Sequence, residues 1–367
     1  MSVFEFHSRT QLVAGPGSLN RLGTVARGLG FERTLLVADH GLVAAGHVAA
    51  AIGFLEAAGI EVIPFHDFGP NPDSAMAERG REFAVPLAVD SIVALGGGSS
   101  MDCAKAINFL LTNGGAMKDY QGYAKASRPM LPTIGVPTTA GTGSEAQSYA
   151  LISDAATGVK MACGDPKAAF RVAILDPLLT ASQPAEVRAA AGYDAISHAV
   201  ETFVTTRRNP MSECLSREAW RLLSAAFPRV VRDPGAVDAL SDMQMGAFLA
   251  GLAIENSMLG ATHACANPLT ARYGITHGVA IAALLAHVTR WNGEEVGALY
   301  RELSPDLPAF LSDLALAASL PLRVSTLGVP EAGLPALASD AAQQWTGRFN
   351  PRPFDQASAL EVYQCAW

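Results

Sequence analysis

Asp194 and His198 stand four residues apart in the Ala-rich stretch Gly192-Tyr-Asp-Ala-Ile-Ser-His-Ala-Val-Glu201, whose apolar positions Ala195, Ile196, Ala199 and Val200 give it helical character. On a helix this spacing puts a carboxylate and an imidazole on one face, with Cβ atoms about 5–6 Å apart. The pair reads either as an ordinary helix-face ion pair or as half of a divalent-metal site, for which two ligands are too few. Only two later stretches look able to supply the rest: Gly260-Ala-Thr-His263-Ala-Cys-Ala-Asn267 and Gly274-Ile-Thr-His277-Gly278. The chain has 8 histidines, and His263 and His277 both fall among small or apolar residues. An imidazole buried there needs a partner, and a metal ion is one such partner.

The elements that must position these groups come from a chain of 367 residues, long enough for two domains and a large core. With 50% hydrophobic and 16% charged residues, its composition suits a compact, well-buried protein. A net charge of −8 without a Lys/Arg cluster argues against nucleic acid and against an anionic membrane surface. The opening Met1-Ser-Val-Phe-Glu-Phe-His-Ser-Arg9 lacks the basic-then-apolar pattern of a signal peptide, and apolar runs such as Val279 to Leu285 are short for a bilayer. Cys103, Cys163, Cys214, Cys265 and Cys365 show no paired spacing, so neither a disulfide framework nor a CxxC site is indicated. The expectation is a reduced, cytoplasmic, soluble protein with no nucleic-acid or membrane partner.

Short β-rich runs alternate with Ala-rich helical stretches over the first 180 residues. Strands are expected at Thr34 to Ala38, Glu61 to Phe65, Ser91 to Leu95 and Thr133 to Val136, with helices over roughly 42–59, 74–88 and 99–112. This alternation argues for a parallel sheet covered on both faces, with ligands at the carboxyl ends of its strands. Asp39 directly follows the first strand, where a carboxylate can bind an adenosine ribose or simply cap a helix. Gly96-Gly97-Gly98-Ser99-Ser100-Met101-Asp102 joins a strand to a helix, as a phosphate cradle or a structural turn does; it is not GxGxxG, since Met101 holds the sixth position. Thr138-Thr139-Ala-Gly141-Thr142-Gly143-Ser144 is rich in hydroxyls and glycines, and suits wrapping a cofactor better than an ordinary surface loop.

Beyond Asp176-Pro-Leu-Leu-Thr180 strand candidates stop and helical stretches follow one another, with Ser182 and Pro184 as a helix start. The expected organisation is an α/β domain over 1–180 and an all-helical domain over 181–367, the latter carrying every proposed ligand.

The motifs together resemble those of the iron-containing (group III) alcohol dehydrogenases, relatives of lactaldehyde/propanediol oxidoreductase. Gly96-Gly-Gly-Ser99 with Asp102 and Lys105 is similar to GGGSxxDxAK, and Pro137-Thr-Thr-Ala-Gly-Thr-Gly-Ser-Glu145 to PTTAGTGSE. Asp176-Pro-Leu-Leu-Thr180 is similar to DPxLT, Gly192 to His198 to GxDAxxH, His277-Gly278 to the PHG segment and Asn350-Pro351-Arg352 to the terminal NPR. The resemblance implies a Rossmann-like NAD-binding domain followed by a helical metal-binding domain, the dehydroquinate synthase-like fold. It implies Asp194, His198, His263 and His277 as ligands of Fe²⁺, with Zn²⁺ as the alternative. It also implies an NAD site lined by Asp39, Asn71, Gly97, Gly98, Ser99, Thr138, Thr139, Thr142, Lys160 and Leu179, with Asp39 favouring NAD over NADP. The activity implied is hydride transfer between a small primary alcohol or aldehyde and NAD(H), by a homodimer.

One position departs from the pattern. Asn267 stands where the family's HAMAHPLGG has a second histidine, and Asn can hydrogen bond but cannot take up a proton. A water or the cofactor ribose is therefore expected to carry the proton, while Asn267 orients substrate or nicotinamide. The alternative readings are a nicotinoprotein that keeps its NAD, a relative of glycerol dehydrogenase or dehydroquinate synthase, and a non-catalytic NAD- or metal-binding protein.

Overall fold

The computed structural model describes residues 3–367. The chain forms two compact units, one of residues 8–139 and 143–182, the other of residues 3–7, 140–142 and 183–367.

In the first unit, short apolar runs build a six-stranded sheet. Its strands are β1 (Gln11–Ala14), β2 (Arg33–Val37), β3 (Glu61–Phe65), β4 (Ser91–Gly96), β6 (Thr133–Pro137) and β9 (Val172–Leu175). Their order is β1-β9-β6-β4-β2-β3, and every neighbouring pair is parallel. Side chains alternate across the sheet, as the two-residue strand period requires. Leu36 and Ala38 join a core with Leu22 and Ala26 of α1 (Leu22–Gly28) and Val48, Ala51 and Leu55 of α3 (His47–Ala57). Leu35 and Val37 join another core with Ala84 of α4 (Ser74–Ala84) and Met101, Ala104 and Ile107 of α5 (Gly98–Asn113). A smaller sheet, β5 (Gly122–Tyr123), β7 (Tyr149–Ser153) and β8 (Lys160–Gly164), runs in the order β5-β8-β7. The chain reverses direction across the main sheet between β2 and β4, and the crevice at such a reversal is where open α/β sheets bind ligands.

The four expected strands are present, and the sequence reading missed five others. The expected helix over 42–59 is two, α2 (His40–Ala44) and α3, parted by Gly46 at φ 81°. The 74–88 helix ends at Ala84, where Pro86 leads into a short 3-10 turn. A one-turn helix, α6 (Pro177–Thr180), closes the unit.

The second unit is helical: α7 (Ala185–Val204), α8 (Pro210–Arg232), α9 (Val237–Asn256), α10 (Ala261–Tyr273), α11 (His277–Leu303), α12 (Leu307–Ala317), α13 (Leu334–Ala342) and α14 (Gln356–Ala366). The start expected at Ser182 lies three residues later, with Pro184 at the N-cap of α7. From Gly192 to Val204 every residue of α7 is buried, the mark of a helix enclosed on all sides. Gly192 permits that enclosure, since a Cβ there would stand 2.8 Å from the Phe227 ring of α8 and 3.0 Å from Met243 Cε of α9. Among the described residues only α9 is long and apolar enough to cross a membrane by length and composition, and 67% of its apolar window is buried.

Candidate functional site

Helix α7 presents Asp194 and His198 on one face, with His198 Nε2 3.4 Å from Asp194 Oδ1. His263 enters from the first turn of α10, its Nε2 3.5 Å from the same oxygen and 3.1 Å from His198 Nε2. His277, the first residue of α11, brings its Nε2 to 3.6 Å from Asp194 Oδ1. Asp194, His198 and His263 are buried and His277 is half-buried. Ligand atoms of Asp194, His263 and His277 lie within 4.8 Å of one another, the arrangement that can hold a metal ion.

Asp194 Oδ1 is buried and accepts no hydrogen bond among the described residues. An anionic oxygen without a donor is costly inside a protein unless a cation faces it. Four ligand atoms about 2.1 Å from an ion at tetrahedral corners would stand about 3.4 Å apart. The separations of 3.1–3.6 Å found here match that size. The donor set, three imidazoles and a carboxylate, suits a divalent transition metal. The residues fit the group.

The buried acid and imidazoles are strongly coupled to one another. Burial alone would raise the Asp194 carboxyl, yet the imidazoles of His198, His277 and His263 outweigh it and hold it well below the usual range. Burial pulls His198 down, with only partial opposition from Asp194. Burial would also lower His263, but the carboxylates of Glu201 and Asp194 push it up to about 9.

Sequence reasoning did not give Glu201 or Asn350 a part here. Glu201 Oε2 accepts from His263 Nδ1 at 2.5 Å, and its Oε1 accepts from the Thr262 N–H at 2.7 Å. Asn350 Oδ1 accepts from the Ala261 N–H at 3.1 Å. A usable signal existed for Glu201: an acid in a fully buried helical stretch must be paired. Asn267 donates from Nδ2 to Gln344 Oε1 at 3.1 Å.

In the α/β unit, Asp39 follows β2, Gly97, Gly98 and Ser99 follow β4, and Thr138 and Thr139 follow β6, at the carboxyl ends of those strands. Asp39 follows β2 and caps α2, its Oδ1 accepting from Gly41 and Leu42 N–H at 2.8 and 3.2 Å. Gly97 is the N-cap of α5 and offers no capping side chain, so the first N–H groups of α5, from Gly98 and Ser99 onward, remain a natural anion seat. Gly96 adopts φ 144°, and a Cβ on it would lie 2.2 Å from Ser100 Oγ. The Asn71 N–H donates to Ser99 Oγ at 3.1 Å with Asn71 at φ 52°, and the Thr138 N–H donates to the Gly96 carbonyl at 3.0 Å. Thr139 packs beside Gly97, where a Cβ would meet its Cγ2 at 3.1 Å. Lys160 opens β8 opposite Ser153, and Leu179 is buried in the core that contains Leu36 and Val136. Thr142 groups with the helical unit, next to Gly141, which packs against Ala191 of α7.

Residues 9–177 match the model of the iron-containing alcohol dehydrogenase family, and residues 188–367 match the C-terminal model of the Fe-containing alcohol dehydrogenase family. The chain is 34% identical to alcohol dehydrogenase 4 of Schizosaccharomyces pombe, covering 96% of this chain and 86% of that protein. It is 31% identical to the NAD-dependent methanol dehydrogenase of Bacillus methanolicus, covering 93% of each. The crystal structure of a 1,3-propanediol oxidoreductase superposes with a TM-score of 0.96 at 31% identity, over 100% of both chains. With both halves matched in order and with a fold that agrees throughout, the chain belongs to the iron-containing alcohol dehydrogenase family.

Proposed function

We propose that the protein is an NAD(H)-dependent oxidoreductase that moves a hydride between a small primary alcohol and its aldehyde. Asp194, His198, His263 and His277 would hold a divalent ion, Fe²⁺ by family and Zn²⁺ as the alternative. The observation that carries this reading is the buried, donor-free Oδ1 of Asp194 with three imidazole Nε2 atoms 3.4–3.6 Å away. When bound, such an ion supplies Lewis acidity, lowering the pKa of a substrate hydroxyl or polarising a carbonyl.

The chain's own residues do the rest. Asp194 brings the negative charge that a dication needs, and the three imidazoles bring neutral nitrogen donors. At the cofactor, the N–H groups at the start of α5 would receive the pyrophosphate, with Gly97 and Gly98 allowing close approach. Asp39 has its Oδ1 engaged in the helix cap, and its carboxylate would also favour a ribose hydroxyl over a 2′-phosphate. Asn71, Ser99, Thr138, Thr139, Lys160 and Leu179 of the α/β unit belong to the same proposed site. The similarity to an NAD-dependent methanol dehydrogenase and a 1,3-propanediol oxidoreductase supports NAD and short alcohols. The same reading takes the chain as a cytoplasmic homodimer, the commonest closed assembly.

Asn267 neither takes up nor releases a proton near neutral pH, so we assign proton transfer to a water or to the cofactor ribose. The test is NADH formation from a panel of short primary alcohols and diols, using protein reloaded with Fe²⁺ or Zn²⁺. Asn267→Ala is expected to keep kcat within about tenfold, since loss of a general acid or base costs about 10²–10⁴-fold. A larger loss with metal and NAD binding intact contradicts that assignment. NAD that stays bound through dialysis, with no NADH released, favours the nicotinoprotein alternative.

A further inference from the structure

His263, one of the proposed metal ligands, is held at its Nδ1 by the buried carboxylate of Glu201. Glu201 lies seven residues after Asp194 on α7, two helical turns along the same face. It is buried, and both of its oxygens are engaged on α10: Oε2 with His263 Nδ1 at 2.5 Å, Oε1 with the Thr262 N–H at 2.7 Å. A carboxylate only accepts, so the proton between Glu201 and His263 must sit on Nδ1. That leaves the Nε2 lone pair to serve a metal ion, 3.5 Å from Asp194 Oδ1 and 3.1 Å from His198 Nε2.

The same carboxylate also fixes where His263 begins. Gly260, the N-cap of α10, makes no side-chain cap. The first N–H groups of α10 are satisfied from outside, Ala261 by Asn350 and Thr262 by Glu201. A Cβ at Gly260 would lie 2.9 Å from Asn350 Oδ1 and 3.2 Å from Glu201 Oε1, so glycine leaves room for both.

We infer that Glu201 is a positioning residue that fixes the Nδ1–H tautomer and the ring orientation of His263, and thereby sets how tightly the four-ligand site binds a divalent ion. The inference rests on the four-ligand reading proposed above. Removing an outer partner of a ligating histidine commonly weakens metal affinity about 10–100-fold. Glu201→Gln keeps the size but offers one accepting oxygen to two donors, the Thr262 N–H and His263 Nδ1–H.

The experiment measures Zn²⁺ affinity by chelator competition in the wild type, Glu201→Gln and Asn350→Ala, with thermal midpoints of the metal-free proteins recorded alongside. Asn350→Ala removes the other outside cap of α10 and leaves the imidazole partner in place. Glu201→Gln is expected to weaken Zn²⁺ binding about 10–100-fold, and Asn350→Ala by less than about threefold even where its midpoint falls. Unchanged affinity in Glu201→Gln, or equal losses in both variants, overturns the inference and leaves Glu201 as a helix cap. A wild type that binds no Zn²⁺ overturns the four-ligand reading as well. Should Glu201→Gln not fold, the zinc-loaded wild type labelled with ¹⁵N-histidine decides. His263 is expected to carry its proton on Nδ1, and metal bound through Nδ1 overturns the inference.

Discussion

A Cβ on Gly278 would stand 2.1 Å from the carbonyl oxygen of Ala190. Gly278 follows His277 at the start of α11, and Ala190 lies one turn before Asp194 on α7. The missing side chain lets the two helices approach until His277 Nε2 is 3.6 Å from Asp194 Oδ1.

Gly278→Ala must push α11 away from a backbone atom, which cannot yield as a flexible side chain does. The expected cost is about 1–3 kcal/mol of stability, the usual range for an overpacked core. The displacement also moves His277, so Zn²⁺ affinity should fall together with the thermal midpoint. Retained affinity in chelator competition would mean that His277 does not depend on this close approach.

Asp39→Ala separates two jobs of one carboxylate. Loss of the cap on α2 should lower stability by about 1 kcal/mol. Loss of the negative charge beside a 2′-phosphate should raise NADP use relative to NAD at least about tenfold, well within the reach of a short-range charge repulsion. Steady-state kinetics with both cofactors checks this. A lower thermal midpoint with an unchanged cofactor ratio would leave Asp39 as a helix cap alone.

Glu145 supplies a pH dependence independent of any metal ligand. Burial pushes its carboxyl from 4.5 up to about 7, against the pull of the Lys105 ammonium. A raised value means that the fold prefers the protonated acid. The associated stability is complete below the unfolded value and is lost as pH rises through about 7. Glu145→Gln keeps a neutral side chain throughout. Its thermal midpoint minus that of the wild type should therefore grow by a few degrees between about pH 5 and about pH 8. A difference that stays flat across this range contradicts the buried-acid assignment.

How far the sequence could be read depended on how local each signal was. The strands β2, β3, β4 and β6 were legible as strand-length, largely apolar runs between turn residues, and Asp194 with His198 as a helical spacing. Strand β1 is only four residues long with both ends exposed, so it offers little pattern, and β9 runs straight into the Asp176-Pro177 turn that drew the reading. Pairing of β7 with β8 is set by antiparallel register, which no short window contains. The split at Gly46 was visible as a glycine, but the Ala-rich flanks masked the break. Glu201 acts on a histidine 62 residues away, and Asn350 on an amide 89 residues away, so their roles appear only after folding.

The most direct test compares the wild type with Asp194→Ala after anaerobic reloading with Fe²⁺ or Zn²⁺, measuring bound metal and NADH formation from a short alcohol on the same samples. The expected result is one ion per chain and metal-dependent NADH formation in the wild type, with both lost in Asp194→Ala while NAD binding persists. NADH formation that needs no metal, or metal content unchanged by Asp194→Ala, would contradict the assignment of this cluster as the metal centre of the reaction.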